Sequence, residues 1–221
     1  SSYVMYKYKN KAFTFTPGLR FESINLKRYD YGKSNFTRDE SNLSTRENKV
    51  STLIPGVGMN YTFSRNFSVF GGIHRGFSPP SNSTGQRPEN STNMELGTRF
   101  SVNKIRGEFI LYQNSYKNLL GSDLAASGGT GELDPFNAGK ALVNGFEFFI
   151  DGNFYKNEKL DLPFSVSYTY TNAKFLSNFE SNVGIWGDVS NGDFIPFIPQ
   201  HQVNSSLSIK YSKSEANLSV N

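Results

Sequence analysis

Apolar and polar residues alternate with a period of two along most of this chain. From Phe13 to Ser23, one parity reads Phe13, Phe15, Pro17, Leu19 and Phe21, and the other reads Thr14, Thr16, Gly18, Arg20 and Glu22. Successive side chains of a β-strand point to opposite faces, so this spacing predicts a strand with one greasy and one polar face. The pattern recurs at Leu53–Phe63, Phe67–His74, Glu95–Val102, Ile105–Tyr112, Gly145–Asp151, Phe164–Thr171, Gln202–Tyr211 and Glu215–Val220. A shorter opening strand at Tyr3–Tyr8 brings the expectation to about ten strands. The connections alternate as well. Lys9–Lys11, Ser64–Asn66, Asn103-Lys104, Tyr155–Leu162 and Ser212–Ser214 are short, whereas Tyr29–Lys49, Pro79–Thr92, Lys117–Ala138 and Leu176–Pro196 are long. An all-β antiparallel meander with short turns at one end and long loops at the other is the pattern of a transmembrane β-barrel. Loops longer than about 12–15 residues are usually functional or disordered, so four at one end predict a shared working surface.

The charges sharpen this reading. Arg20, Glu22, Glu95, Arg99, Arg106, Glu108, Glu147 and Asp151 all fall in mid-strand on the polar parity. A lipid-facing Arg or Lys near the bilayer midplane costs roughly 2–4 kcal/mol, so these residues are expected to line the lumen and the contacts with whatever fills it. Aromatics make up 15% of the residues while hydrophobics reach only 36%. That balance is too polar for a packed helical core and too aromatic for a disordered chain. No apolar run approaches the ~18–20 residues of a spanning helix, but a barrel strand needs only ~9–11. Tyr61, Phe63, Phe67, Tyr112, Tyr116, Phe154, Tyr155 and Tyr211 stand near strand ends, where interfacial aromatic girdles form. The net charge of +4 is spread along the chain and gives no nucleic-acid signature. Cysteine is absent. His74 and His201 lie on different strands with no converging carboxylates, so neither a metal site nor a catalytic constellation is expected. Gly128-Gly129-Thr130-Gly131 lacks the ending of a phosphate loop and reads as a loop tip.

Six blocks resemble one family, in its order. Phe15–Glu22, Leu53–Tyr61, Phe70–Pro80, Met94–Arg99, Asn137–Glu147 and Phe197–Asn204 resemble the conserved strand segments of TonB-dependent outer-membrane receptors. The His74–Pro80 and Asn137–Lys140 segments are similar to the ferric-citrate-receptor branch. The resemblance implies a 22-stranded barrel closed by an N-terminal plug domain. It implies a bacterial outer-membrane location and uptake of an anionic iron chelate, a ferric citrate or another siderophore, driven by a TonB-type energy-coupling complex. No resident cofactor is implied, since the ferric chelate is the cargo. On this resemblance residues 1–221 are a partial barrel domain, with the plug and the barrel ends lying outside it, and the partners are outer-membrane lipid, the protein's own plug and the coupling complex.

The guanidinium group suits multidentate recognition of carboxylates, so an anionic chelate directs attention to loop and upper-wall cations. The candidates are Arg28, Arg38, Arg46, Arg75 and Arg87, with Gln86, Asn90 and Lys140 behind them. Arg75 stands at a strand-to-loop junction, yet alternation gives it the parity of Phe67, Val69 and Ile73. Either a bulge turns it inward or it snorkels to the head groups. Three other architectures compete: a complete small outer-membrane barrel acting as a porin, one acting as a surface enzyme, and a soluble β-sandwich adhesin. A sandwich would pack its apolar faces on each other.

Overall fold

The computed structural model describes residues 1–32, 36–80, 87–119, 139–181 and 187–221. The strands are β1 (Ser2–Met5), β2 (Tyr8–Asn10), β3 (Phe13–Asp30), β4 (Ser44–Ser64), β5 (Phe67–Ser78), β6 (Glu89–Val102) and β7 (Ile105–Lys117). They continue with β8 (Lys140–Lys156), β9 (Leu160–Phe175), β10 (Phe179–Ser181), β11 (Gly187–Val189), β12 (His201–Tyr211) and β13 (Ser214–Val220). One antiparallel sheet runs β1-β3-β4-β5-β6-β7-β8-β9-β12-β13, with β2 also on β3 and β10-β11 forming a small separate pair. No second layer packs on this sheet among the described residues, which removes the sandwich.

β1 and β2 share one register on β3, so together they are the single opening strand expected from the sequence. The break falls opposite Pro17. Proline has no amide to donate to a neighbour, so the ladder lapses there, although Tyr6 still donates to the Pro17 carbonyl at 3.0 Å. Pro55 acts in the same way. The β4–β5 ladder reaches Gly56↔His74 and goes no further, while β3 and β4 stay paired up to Asp30↔Ser44. The upper part of β3–β4 therefore rises as a two-stranded ribbon. The first long loop is correspondingly shorter than the sequence indicated, because β3 runs to Asp30 and β4 starts at Ser44, taking in Arg46.

The tight turns all fall at one end. Lys11, Asn103 and Ser212 each take a left-handed conformation (φ 44°, 54° and 53°) at the first turn position. Two-residue hairpins need that twist, and Asn tolerates it better than most residues.

Residues directly opposite in an antiparallel ladder share a face, so the register sorts every side chain. One face carries Phe15, Leu19, Phe21, Leu53, Met59, Tyr61, Ile73, Leu96, Phe109 and Leu111 along adjacent strands. These side chains are exposed, from 36% for Phe109 to 56% for Leu96, and among the described residues no second layer covers them. The apolar run from Phe13 to Phe21 is about 27 Å long at 3.4 Å per residue, which at a 35–45° strand tilt covers about 19–22 Å, most of the roughly 25 Å apolar band of an outer-membrane barrel. Above it the same parity turns polar, with Ser23, Asn25 and Lys27 facing Ser51, Lys49 and Glu47. β3 has 18 residues and β4 has 21, so both are longer than the ~9–11 residues with which a barrel strand crosses a bilayer. At the turn end, Tyr61, Phe63 and Phe67 contact one another (ring centroids 4.6 and 5.6 Å) and Phe154 stacks on Phe164 at 4.0 Å, as in an interfacial girdle. Tyr112 and Tyr116 do not belong to it, because both face the other way.

Leu111→Arg tests the outward face. Leu111 is 47% exposed, so the substitution would be nearly neutral in water. In a bilayer it is expected to destabilise by roughly 2–4 kcal/mol, read from urea unfolding in lipid vesicles.

Candidate functional site: inner wall and loop-side rim

All eight charged residues placed on the polar parity share one face of the sheet. The rows read Thr62–Ser68–Arg99–Glu108–Phe149–Ser167 and Ser101–Arg106–Asp151–Ser165–Ser206 across successive strands. Three cavities of about 390–450 Å³ open mainly on this face, called the inner face below. Six of the eight charges form ion pairs. Arg99 pairs with Glu108 and Arg20 with Glu22, whose side chain is buried. Arg106 donates to both Asp151 oxygens at 2.8–3.0 Å. Glu95 and Glu147 line another cavity, together with His74, whose ring lies 3.1 Å from Asn93 Nδ2. Arg99 also lies 4.0 Å over the Phe70 ring, a cation–π contact.

Glycines shape this wall in two ways. Phe70 stands opposite Gly97, and Tyr112 stands opposite Gly145, with each ring occupying the volume a side chain would take. The Tyr112 hydroxyl reaches across β8 to Thr171 Oγ1 at 2.8 Å. Phe100 covers Gly107 in the same manner on the outer face. Cross-strand aromatics of this kind compensate for the bare backbone of a strand glycine. Gly58 is different: a Cβ there would meet nothing within 4 Å. With Gly18, Gly56 and Gly72 it lines a cavity of about 450 Å³.

At the loop end the inner face becomes apolar. Leu119, Ala141, Ala173, Phe175, Val189 and Ile195 form a buried cluster, with Tyr116, Val143, Phe179 and Ile198 packed against it. The end of the β9–β12 connection pairs edgewise with the top of β9 here, with an antiparallel bridge at Lys174↔Phe194. Phe175 donates to Asp193 O at 2.9 Å, Ile195 to Ala173 O at 3.0 Å, and Gly192 to Phe175 O at 2.9 Å. Ala141 and Ala173 are buried within this cluster. Burial holds the Tyr116 phenol above its ordinary range, and the charge on Glu89 adds to the effect. Alternation alone did not reveal this cluster, since its members come from strands and a distant loop.

The ligand candidates divide by face. Arg28 and Arg46 stand directly opposite each other on the inner parity of the β3–β4 ribbon, both exposed, with Asp30 3.6 Å from Arg28. Beside them on the outer parity, Glu47 bridges Lys49 (3.2 Å) and Lys27 (3.7 Å); its hydrogen bond to Lys49 is the main cause holding its carboxyl below the usual range. Arg38 is exposed near the ribbon tip, with φ 53°. Arg87 is exposed ahead of β6. Arg75 and Lys140 are on the outer face. The β5–β6 register runs without a shift through Arg75↔Thr92, so no bulge turns Arg75 inward, and its guanidinium donates to Asn90 Oδ1 at 3.0 Å. Gln86 and the Gly128–Gly131 tip lie outside the described residues. The two histidines are on opposite faces: His74 is inside, and His201 is outside, hydrogen-bonded to the Tyr168 hydroxyl at 2.8 Å.

A family model described as TonB dependent receptor-like, beta-barrel, matches residues 1–220. Among solved structures, the chain is similar to the siderophore receptor PiuA from Acinetobacter baumannii (16% identity, TM-score 0.69, 93% of this chain and 30% of that one). It is similar to the ferric-catecholate import receptor Fiu from K12 E. coli (15% identity, TM-score 0.68, 98% of this chain and 33% of that one). It is also similar to the ferric citrate transporter FecA (20% identity, TM-score 0.68, 98% of this chain and 31% of that one). The chain spans about a third of the length of these structures. No curated protein matches it in sequence.

Proposed function

Because the chain belongs to the TonB dependent receptor-like β-barrel family, we propose that it is a ten-strand stretch of an outer-membrane barrel that takes up an anionic ferric chelate by energy-coupled transport. The observation that carries this is the division of the wall: ion pairs and cavities inside, exposed apolar rows outside, and a pair of opposed arginines on the inner parity above the bilayer. Among the described residues β1 and β13 each have one neighbouring strand. An unpaired strand edge in hydrocarbon leaves backbone groups unsatisfied, so further strands would close the barrel. The glycine-lined hollow around Gly58 suits the close approach of a plug's backbone, and Glu95 and Glu147 suit basic groups on that plug. Arg28 and Arg46 are the groups best placed to hold a polycarboxylate or catecholate chelate, with Arg38 and Arg87 as further loop-side cations. Arg75 and Lys140 leave the ligand set because they face outward.

The test uses the full-length protein, expressed in bacteria lacking their own ferric-chelate receptors and grown on ferric citrate or ferric catecholates as sole iron source. Growth that requires both the protein and the energy-coupling complex is expected. Solute entry that is indifferent to the chelate and to coupling would identify a plain porin instead.

A further inference from the structure

The inner wall divides into two sectors. On β6, β7 and β8 it carries Glu95, Arg99, Arg106, Glu108, Glu147 and Asp151. Across β9, β12 and β13 the charges give way to a neutral strip. The inner positions from Pro163 to Thr171, from Gln202 to Ser208, and at Asn217 and Ser219 hold hydroxyls, amides and one proline, with no charged and no aromatic side chain. This strip runs about 27 Å along β9 at 3.4 Å per residue and about 10 Å across three strands at 4.8 Å spacing. At the turn end it is bounded by the Lys156–Asp161 and Lys210–Glu215 pairs, and at the loop end by the buried cluster on Ala173 and Phe175. The row Ser101–Arg106–Asp151–Ser165–Ser206 crosses the boundary, with an ion pair on β7–β8 and only hydroxyls on β9 and β12.

Groups on the strip satisfy one another. Ser165 Oγ lies 2.7 Å from Ser206 Oγ, and Asn204 donates to Ser167 Oγ at 3.4 Å. A neutral hydrogen bond contributes about 1 kcal/mol net, whereas one to a charged group contributes roughly 1.5–3 kcal/mol. On β6 and β8, Glu95 and Glu147 have no ion-pair partner among the described residues. A domain filling the barrel is therefore held more firmly by β6–β8 than by the strip. An anion moving along the strip meets no arginine on it that would trap it and no carboxylate on it that would repel it. Passage needs contacts that are weak and repeated, and a run of hydroxyls and amides supplies them. We propose that the strip on β9, β12 and β13 is the wall along which the anionic ferric chelate crosses the barrel. The filling domain parts from this sector while β6–β8 retain it. The proposal rests on the transport reading above, and the experiment separates the two.

The test uses the full-length protein in living cells, with single cysteines in the strip (S206C or S167C) or in the same two rows beside the ion pairs (S101C or S68C). Residues 1–221 contain no cysteine, and any elsewhere in the protein are replaced by serine. An anionic, membrane-impermeant maleimide is added outside during uptake of ferric citrate or a ferric catecholate, with the energy-coupling complex present or deleted. Coupling is expected to raise labelling of S206C and S167C at least about tenfold and to leave S101C and S68C unchanged. Equal labelling of the two sectors would overturn the strip, as would coupled uptake with no labelling of it. S167R is expected to bind the chelate as the wild type does and to import it at least about tenfold more slowly. Wild-type import by S167R would also overturn the strip. An unmodified protein that imports neither chelate under coupling would overturn the transport reading itself, and the strip with it.

Discussion

Gly145→Ala is expected to leave little folded receptor in the outer membrane. Gly145 sits on the inner face of β8, between Tyr112 on β7 and Thr171 on β9. A Cβ there would lie well inside van der Waals contact of the Tyr170 carbonyl and 2.8 Å from the Tyr112 hydroxyl. The carbonyl is backbone within the ladder and cannot swing aside as a side chain would. Relief requires β8 and β9 to part, or Tyr112 to leave Thr171. Overpacking of this kind costs about 1–3 kcal/mol or more, and the lost hydrogen bond adds about 1 kcal/mol. Tyr112→Phe removes only the hydrogen bond and should cost about 1 kcal/mol. Heat-modifiable mobility on gels and urea unfolding of the refolded protein compare the two. An alanine variant that assembles and unfolds like the wild type would show that the ring over Gly145 has room the contacts deny.

The double reversal Arg28→Glu/Arg46→Glu is expected to abolish high-affinity binding of an anionic ferric chelate, by at least about a hundredfold. A hydrogen bond to a charged group contributes roughly 1.5–3 kcal/mol, so two such arginines reach this range before repulsion by the new carboxylates is counted. Both residues are exposed on the β3–β4 ribbon and oppose each other, so their replacement should leave the barrel intact. Arg28→Lys/Arg46→Lys keeps the charge but loses the planar fork, and should recover only part of the affinity. Arg75→Gln, on the outer face, should bind as the wild type does. Fluorescence quenching of the full-length receptor by ferric citrate reads all four. Wild-type affinity in the reversed variant would remove the ribbon from the binding site.

Much of the wall was legible in the sequence because period-two alternation is local. Phe13 to Glu22 announces two faces without reference to any other strand, and parity alone put Arg99, Arg106, Glu108 and Asp151 on one side. The mirrored parity of Arg75 was equally visible. The register then removed the bulge that would have turned Arg75 inward. Strand length was less legible. Above Phe21 the outward positions change from apolar to polar where the strand leaves the bilayer, and a strand whose pattern inverts looks like a loop. That is why the pattern placed Arg46 inside a long loop and ended the strand before Arg28. Tyr112 and Tyr116 read as girdle residues because they stand near strand ends, yet their parity turns them inward.

The order of faces, the alternation of short and long connections and the antiparallel meander were fixed by the chain's own periodicity, since each depends only on near neighbours. Which residues meet was decided in three dimensions. Nothing in the spacing of Tyr112, Gly145 and Thr171, or of Leu119, Ala173 and Ile195, links them along the chain. Hydrogen-bonded register brings them together, and it likewise sets Ser165 on β9 beside Ser206 on β12.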